Sequence, residues 1–221
     1  NNSKLALQIV LNYEEGGENC ILHGDKHSET FLSEIVGAQP IKGRHMNMES
    51  LYEYGSRRGF WRLYKLFMER EIPFTIFGVA TALEKNEDVC EAIRKSDLGK
   101  NPIEVACHGL KWIDYQKVPK AIEKKHMKMA IKSIQKTIGE RPLGWYTGRC
   151  SPNTLDLVME EGKFLYCSDS YSDDIPYWEK RGNKKQLIIP YTLDNNDMKF
   201  VTNQGFNSGD QFYTYLKDSF D

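Results

Sequence analysis

An excess of charge of either sign is missing from this sequence. Its 221 residues include 30 Lys and Arg against 31 Asp and Glu, which gives a formal net charge of −1. Nucleic acids and anionic membrane surfaces bind clustered positive charge, so we expect neither as a partner. A long apolar run is missing as well, whereas a membrane-spanning helix needs about 20 consecutive apolar residues. The composition therefore favours a globular, enzyme-like domain.

Paired cysteines and a recognisable signal peptide are also absent. The five cysteines are an odd number without paired spacing, which is typical of free thiols and not of a disulfide framework. They are Cys20, Cys90, Cys107, Cys150 and Cys167. We interpret them as small buried packing residues. The expected compartment is reducing, and the predicted location is the cytoplasm.

Short apolar segments alternate with helical patterns along the chain. The apolar segments predict strands at residues 5–11, 74–79, 103–107, 143–146, 164–167 and 187–189, the first of them buried on both faces. Periodicity and cap signals predict helices at about residues 57–71, 90–95, 119–138 and 152–161, the last with Ser151 as its N-cap. This alternation predicts parallel βα units, closed or nearly closed like a barrel, in a single domain of residues 1–221.

Residues 16–49 form a long stretch without regular pattern, and it contains three of the five histidines. Loops of this length are uncommon unless they bind or assemble. We therefore expect this stretch to cover the mouth of the barrel or to form a subunit contact.

Two adjacent carboxylates, Glu14 and Glu15, follow the first predicted strand. Active sites of parallel α/β folds are built at the carboxyl ends of the strands. Paired carboxylates repel each other, so one can keep its proton near neutral pH and act as an acid or base. A polar turn without chemistry is the simpler alternative. Further candidates at or after strand ends are His108, Arg149, Asp169 and residues 194–197.

Six motifs resemble those of the polysaccharide deacetylase superfamily, and most closely its purine-catabolic branch, the PuuE-type allantoinases. They are Asn-Tyr-Glu-Glu-Gly-Gly-Glu (residues 12–18), Glu-Tyr-Gly-Ser-Arg (53–57), Cys-His-Gly-Leu-Lys-Trp (107–112), Gly-Trp-Tyr-Thr-Gly-Arg (144–149), Asp-Ser-Tyr-Ser-Asp-Asp-Ile-Pro-Tyr-Trp (169–178) and Pro-Tyr-Thr-Leu-Asp-Asn-Asn-Asp-Met (190–198). The resemblance implies a distorted (β/α) barrel of the NodB-like type. It also implies a homo-oligomeric hydrolase that opens the ring of allantoin, a cyclic ureide, to give allantoate.

The resemblance has a further implication for metal binding. Deacetylases of the superfamily hold a divalent ion with an aspartate of the first motif and two histidines spaced four residues apart. In this sequence Glu14 and Glu15 replace the acidic pair, and the residue four positions after His108 is Trp112, which cannot coordinate a metal. We therefore expect no cofactor. Zinc is expected only under the alternative of a metal-dependent deacetylase of N-acetyl sugars, against which Trp112 argues.

The hypothesis for amide hydrolysis assigns roles to the candidates. Glu14 or Glu15 accepts the proton of water, while the neighbouring carboxylate or His108 orients that group. Arg149 holds ureido oxygens or the oxyanion, and the structural alternative for it is an ion pair with Asp169.

A second set of residues is assigned to substrate binding. Trp112 is expected as a wall of the pocket. Asp169, Asp173, Asn195 and Asp197 are expected to bind the substrate, with turns that bond their own backbone as the alternative.

The resemblance also bears on length. Members of the family extend beyond both ends of this sequence, and their final strand has no counterpart in it. We therefore expect a catalytic domain that lacks its last strand, and an inactive remnant of the scaffold stays open as a third hypothesis.

Overall fold

The computed structural model describes residues 4–96 and 103–221, which contain seven strands and seven α-helices. The strands are β1 (Val10–Tyr13), β2 (Phe74–Gly78), β3 (Ile103–Cys107), β4 (Gly144–Trp145), β5 (Tyr166–Cys167), β6 (Tyr177–Arg181) and β7 (Lys184–Ile188). The helices are α1 (Met46–Tyr54), α2 (Phe60–Glu69), α3 (Ala80–Glu84), α4 (Glu87–Lys95), α5 (Lys120–Ile138), α6 (Thr154–Glu161) and α7 (Gly209–Phe220). All strands form one sheet in the order β1-β2-β3-β4-β5-β7-β6. Only the β6–β7 pair of this sheet is antiparallel, so the predicted α/β class with a mostly parallel, unclosed sheet is confirmed for the described residues.

Side chains alternate between the two faces of this sheet. The face beneath the helices carries the larger core, which includes Tyr13, Ile76, Val105, Cys107, Trp145 and Ile188. The other face carries a smaller cluster of Phe77, Ala106, Tyr146 and Tyr166. Val10 of β1 and Leu187 of β7 both pack against this smaller cluster, although their strands lie far apart in the sheet. The sheet therefore curls around the cluster as the wall of a barrel does.

The first strand differs from its prediction. β1 spans Val10–Tyr13, so only the last two residues of the predicted segment 5–11 belong to it. The prediction of burial on both faces is wrong, since Leu5 and Leu7 are 47% and 69% exposed. β1 lies at the edge of the sheet, where it pairs with β2. Its shift along the chain places Glu14 directly after the last strand residue.

The predicted strand at residues 187–189 overlaps only the end of β7, and the sequence prediction missed β6 and therefore the hairpin of the two strands. Polar residues dominate both strands, because the hairpin lies at the second edge of the sheet and much of its surface is exposed. The two strands are joined by Gly182 and Asn183, and Gly182 has a positive φ of 57°. A Gly-Asn pair between two extended segments is a hairpin signal that was available in the sequence.

Helical structure begins earlier than predicted on the segment before β2. α1 already starts at Met46, inside the stretch predicted to be irregular up to residue 49. A π-helical turn, Gly55–Gly59, then connects α1 to α2. The two glycines conceal this continuity in the sequence, because glycine usually marks an interruption of a helix.

The cap predictions for the later helices have different outcomes. The predicted ends of the helices at residues 138 and 161 are confirmed, and Gly139 and Gly162 are the left-handed residues that end α5 and α6. The prediction of Ser151 as the N-cap of α6 is wrong, since α6 begins at Thr154 and follows Asn153. The hydroxyl of Ser151 instead accepts the N–H of Asn153 and donates to the buried carboxylate of Glu123.

All five cysteines are free thiols, as predicted. Four of them are buried, but Cys150 is exposed, so its interpretation as a buried packing residue is wrong. Cys107 lies in the core beneath the helices, on the opposite face of β3 from the smaller cluster. Every helix within residues 4–96 and 103–221 is too short or too polar to cross a lipid bilayer.

Candidate active site

The carboxyl ends of the parallel strands bring most of the predicted residues together at one mouth. Glu14 follows β1, His108 follows β3, Arg149 lies after β4 and Asp169 after β5. Because these strands run in the same direction, the segments after them leave the sheet on the same side.

The centre of this mouth is a contact between Glu14 and His108. Oε1 of Glu14 lies 3.0 Å from Nε2 of His108, and the amide of Asn12 donates to the same oxygen at 3.2 Å. The imidazole is only 2% exposed, whereas the Glu14 side chain is 22% exposed. The second imidazole nitrogen, Nδ1, is buried and has no hydrogen-bond partner among the described residues. Glu14 is thus the more exposed member of a carboxylate–imidazole pair.

Glu15 occupies a different environment from its neighbour. Its Oε2 accepts the backbone N–H of Glu14 at 3.3 Å, and its carboxyl group packs against the backbone of Gly55. Burial, reinforced by the nearby charge of Glu14, raises the pKa of Glu15 to about 7. The two carboxylates of the pair are therefore distinguished by their surroundings, as acid–base groups in active sites often are.

The turn that carries the acidic pair is fixed from several directions. The N–H of Gly17 donates to the carbonyl of Glu14 at 2.8 Å, and the ammonium of Lys85 donates to the carbonyl of Gly16 at 2.7 Å. The N–H of Trp112 also donates to the carbonyl of Gly17 at 2.9 Å. Gly16 has a φ of 105°, which few other residues adopt. Glycine at position 16 therefore permits this path of the chain, and the three hydrogen bonds hold it.

Arg149 packs on aromatic rings at one side of the mouth. Its guanidinium carbon lies 3.8 Å from the centre of the Trp112 ring and 5.2 Å from that of Phe31. Phe31 belongs to the long stretch predicted to cover the mouth, and the structure places it against these two residues. An open cavity of about 840 Å³ borders Arg149 on the side of residues 29–38. Cation–π contacts hold the guanidinium group of Arg149, and its N–H donors lie beside this cavity.

Asp169 does not form the ion pair with Arg149 that was considered as the alternative. Its Oδ1 instead accepts the backbone N–H groups of Thr147 and Gly148 at 2.8 and 2.7 Å. Its Oδ2 is buried without a partner in the described part of the chain. Burial raises the pKa of Asp169, and the two backbone donors and His108 oppose that rise. This oxygen is closed off from solvent and keeps an unused acceptor position.

A tyrosine wall lies beside His108, and the sequence analysis did not assign it a role. The Tyr146 ring is 4.9 Å from the imidazole and stacks on Tyr191 at 4.7 Å with an angle of 5°. The hydroxyl of Tyr191 accepts from the amides of Asn12 and Asn196. Both tyrosines and Asn12 lie within motifs that were recognised by resemblance, so a signal existed, but it named no role for them. A flat aromatic wall suits a planar substrate ring.

The remaining predicted binding residues have different positions. Asp197 lies near enough to Glu14 that partial desolvation and the charge of Glu14 raise its pKa, although the residue is exposed. Asn195 accepts the hydroxyl of Ser219 in α7. Asp173 is exposed and accepts the N–H groups of its neighbours Asp174 and Ile175. The structure thus places Asp197 at the mouth, whereas Asp173 caps its own turn.

The donor set does not fit a catalytic zinc ion. Such a site needs about three protein ligands. Glu14 and His108 instead form a hydrogen bond with each other, and Trp112 packs against Arg149. No group of three His, Cys, Asp or Glu side chains within residues 4–96 and 103–221 is arranged to hold a metal ion. We therefore derive no step through a metal.

Comparison with known proteins relates this geometry to a family. Residues 47–158 match the family described as polysaccharide deacetylase. A protein of Schizosaccharomyces pombe (strain 972 / ATCC 24843), provisionally named a polysaccharide deacetylase, is 43% identical over an alignment of 240 positions, gaps included, that spans 100% of this chain and 73% of the relative.

Two solved structures are similar to the whole described fold. One is a protein of Pseudomonas aeruginosa PAO1, also provisionally named a polysaccharide deacetylase, with 57% identity and a TM-score of 0.90 over 97% of this chain and 71% of that one. The other is a PuuE allantoinase, with 57% identity and a TM-score of 0.89 over 97% of this chain and 70% of that one. The predicted resemblance is thus confirmed.

Proposed function

This chain belongs to the polysaccharide deacetylase family, and from that premise we propose that it hydrolyses allantoin to allantoate without a metal ion. The observation that carries the proposal is the Glu14–His108 contact with Trp112 at the position of a second imidazole ligand. The similarity to a PuuE allantoinase supports the choice of substrate.

Opening a hydantoin ring is amide hydrolysis, which requires an activated water, stabilisation of an oxyanion and a proton for the leaving nitrogen. We assign the base to Glu14, because its carboxylate reaches the mouth, while Glu15 packs against Gly55. The contact with His108 and the amide of Asn12 orient the Glu14 carboxylate toward water. The proton that Glu14 takes from water is then available for the leaving nitrogen.

Substrate recognition follows from the groups around this pair. Arg149 offers guanidinium donors to a ureido oxygen or to the oxyanion, since an arginine forms strong charge-assisted hydrogen bonds. The unpaired Oδ2 of Asp169 offers an acceptor for a ureide N–H. The stacked rings of Tyr146 and Tyr191 form an aromatic wall beside His108. Together these groups match a small planar molecule that is rich in both donors and acceptors.

Replacement of Glu14 by Gln tests the assignment of the base. Glu14→Gln keeps the shape of the side chain but removes its basicity, so we expect kcat to fall by about 10²–10⁴-fold with an unchanged circular dichroism spectrum. The matched control is Glu53→Gln on the exposed surface of α1, which should keep the wild-type rate. Allantoate formation at the wild-type rate by Glu14→Gln would remove Glu14 from the mechanism.

An assay of acetate release, run beside the allantoate assay, separates the proposed function from that of a deacetylase, the activity in the names of two similar proteins. Release of acetate from an N-acetylated sugar, without formation of allantoate from allantoin, would favour a deacetylase over the proposed function.

A further inference from the structure

The motif of residues 53–57 has no role in the proposed chemistry, yet its glycine touches the acidic pair. A methyl group placed on Gly55 would lie 2.0 Å from Oε1 of Glu15, 2.5 Å from its Cδ and 2.6 Å from its Cγ. These distances are far below van der Waals contact, and they involve three atoms of one side chain. The carboxyl arm of Glu15 therefore lies directly on the helix backbone at Gly55.

The backbone conformation offers no other reason for a glycine at this position. Gly55 has φ −58° and ψ −52°, which any residue adopts in a helix. Glycine in a helix interior costs about 0.5–1 kcal/mol relative to alanine, so its presence here is locally unfavourable. The space that it leaves is occupied by Glu15. The contact with Glu15 is thus the structural reason for a glycine at position 55.

A second glycine of the same π-helical turn serves as an internal comparison. Gly59 has φ −59° and ψ −54°, nearly the values of Gly55. A methyl group on Gly59 would meet no atom of the described residues within 4 Å. π-Helical turns occur often at functional sites, and in this turn only the glycine at its N-terminal end adjoins the site.

We propose that Gly55 is a positioning residue for the acidic pair. The bare backbone at Gly55 admits the carboxyl group of Glu15, and Glu15 in turn accepts the N–H of Glu14, which keeps the Glu14 carboxylate facing His108. The catalytic consequence of this arrangement rests on the proposed function, whereas the contact itself does not.

The direct test follows the titration of Glu15 by carboxyl-carbon NMR, with Glu15→Gln to assign the signal. In Gly55→Ala the carboxyl group must leave its place, so its titration midpoint should move by about one unit or more from that of the wild type. In Gly59→Ala the midpoint should not move. An identical Glu15 titration in Gly55→Ala and wild type would overturn the proposal. This readout needs no substrate.

The kinetic test asks whether the contact reaches Glu14. We expect Gly55→Ala to lower kcat for allantoin by about tenfold or more and to move the pH profile, while Gly59→Ala stays within about twofold of the wild type. In a Glu15→Ala background, Gly55→Ala should not lower kcat any further, because the side chain with which the alanine would collide has been removed. If Gly55→Ala lowered kcat by the same factor in both backgrounds, the positioning role would be overturned. Absence of allantoin turnover in the wild type would overturn the proposed function alone, since the titration still reports the contact.

Folding of the variants provides a third outcome. If Gly55→Ala unfolds the protein, the double variant Glu15→Ala/Gly55→Ala should fold, as measured by thermal unfolding. Failure of the double variant to fold, while Glu15→Ala alone folds, would show that alanine collides with something other than Glu15 and would overturn the proposal.

Discussion

Glu14 and Glu15 are adjacent in sequence, but each meets a different set of neighbours. Glu14 contacts His108 and Asn12 at the mouth, whereas Glu15 contacts the backbone of Gly55. The sequence predicted that paired carboxylates at this strand end would differ in acidity. It could not predict which of them would be buried, because Gly55 lies 40 residues away and its contact with Glu15 depends on the docking of α1.

The stability of the protein should depend on pH through Glu15. The pKa of Glu15 is raised from 4.5 to about 7 by burial, so the folded protein binds this proton more tightly than the unfolded chain does. The resulting stabilisation is fully present below about pH 4.5 and is lost as the pH rises to about 7. As the pH rises between these limits, the unfolding free energy of Glu15→Gln should increase relative to that of the wild type by on the order of 2 kcal/mol.

Urea denaturation of wild type and Glu15→Gln across this pH range measures the difference. Glu53→Gln is the exposed control, and its stability should follow that of the wild type. A constant difference between Glu15→Gln and wild type from acid to neutral pH would contradict the raised pKa.

At the scale of elements, the sequence predicted what short-range patterns determine. β3 and α5 were predicted nearly residue for residue, because an apolar run and an apolar periodicity mark them clearly. α1 was missed, since two glycines follow it and suggest an interruption where the chain stays helical. Only the apolar end of β7 was predicted, whereas β6 and the start of β7 were missed because polar residues dominate these exposed segments near the sheet edge.

The start of α6 depends on a buried carboxylate of a different helix. Glu123 of α5 accepts the hydroxyl groups of Ser151 and Thr154, and it is 2% exposed. Removal of this side chain leaves both buried hydroxyls without an acceptor. We expect Glu123→Ala to lower the unfolding free energy by about 2–4 kcal/mol in urea denaturation.

Two variants make this result specific. Glu123→Gln keeps an acceptor oxygen and should be less destabilised than Glu123→Ala. Glu140→Ala, at an exposed site just after α5, should be neutral within about 0.5 kcal/mol. If Glu123→Ala were as stable as Glu140→Ala, the carboxylate would not anchor the start of α6.

At the scale of the whole molecule, the site exists because the sheet curls. Asn12 on β1 and Tyr191 after β7 are 179 residues apart, and their side chains meet at 3.5 Å. Local sequence patterns predicted the strands and the residues at their ends, but not the contacts across the barrel. The tyrosine wall of Tyr146 and Tyr191 depends on those contacts, which is why it was found only in the structure.

Metal-free hydrolysis is tested most directly by measuring allantoate formation from allantoin by the purified protein, with and without a strong chelator. We expect equal turnover in both conditions, because in the proposed mechanism Glu14 and His108 act without a metal ion. Turnover that is lost on chelation and restored by added zinc would contradict the metal-free mechanism. Absence of turnover in both conditions, from a folded protein, would contradict the proposed function itself.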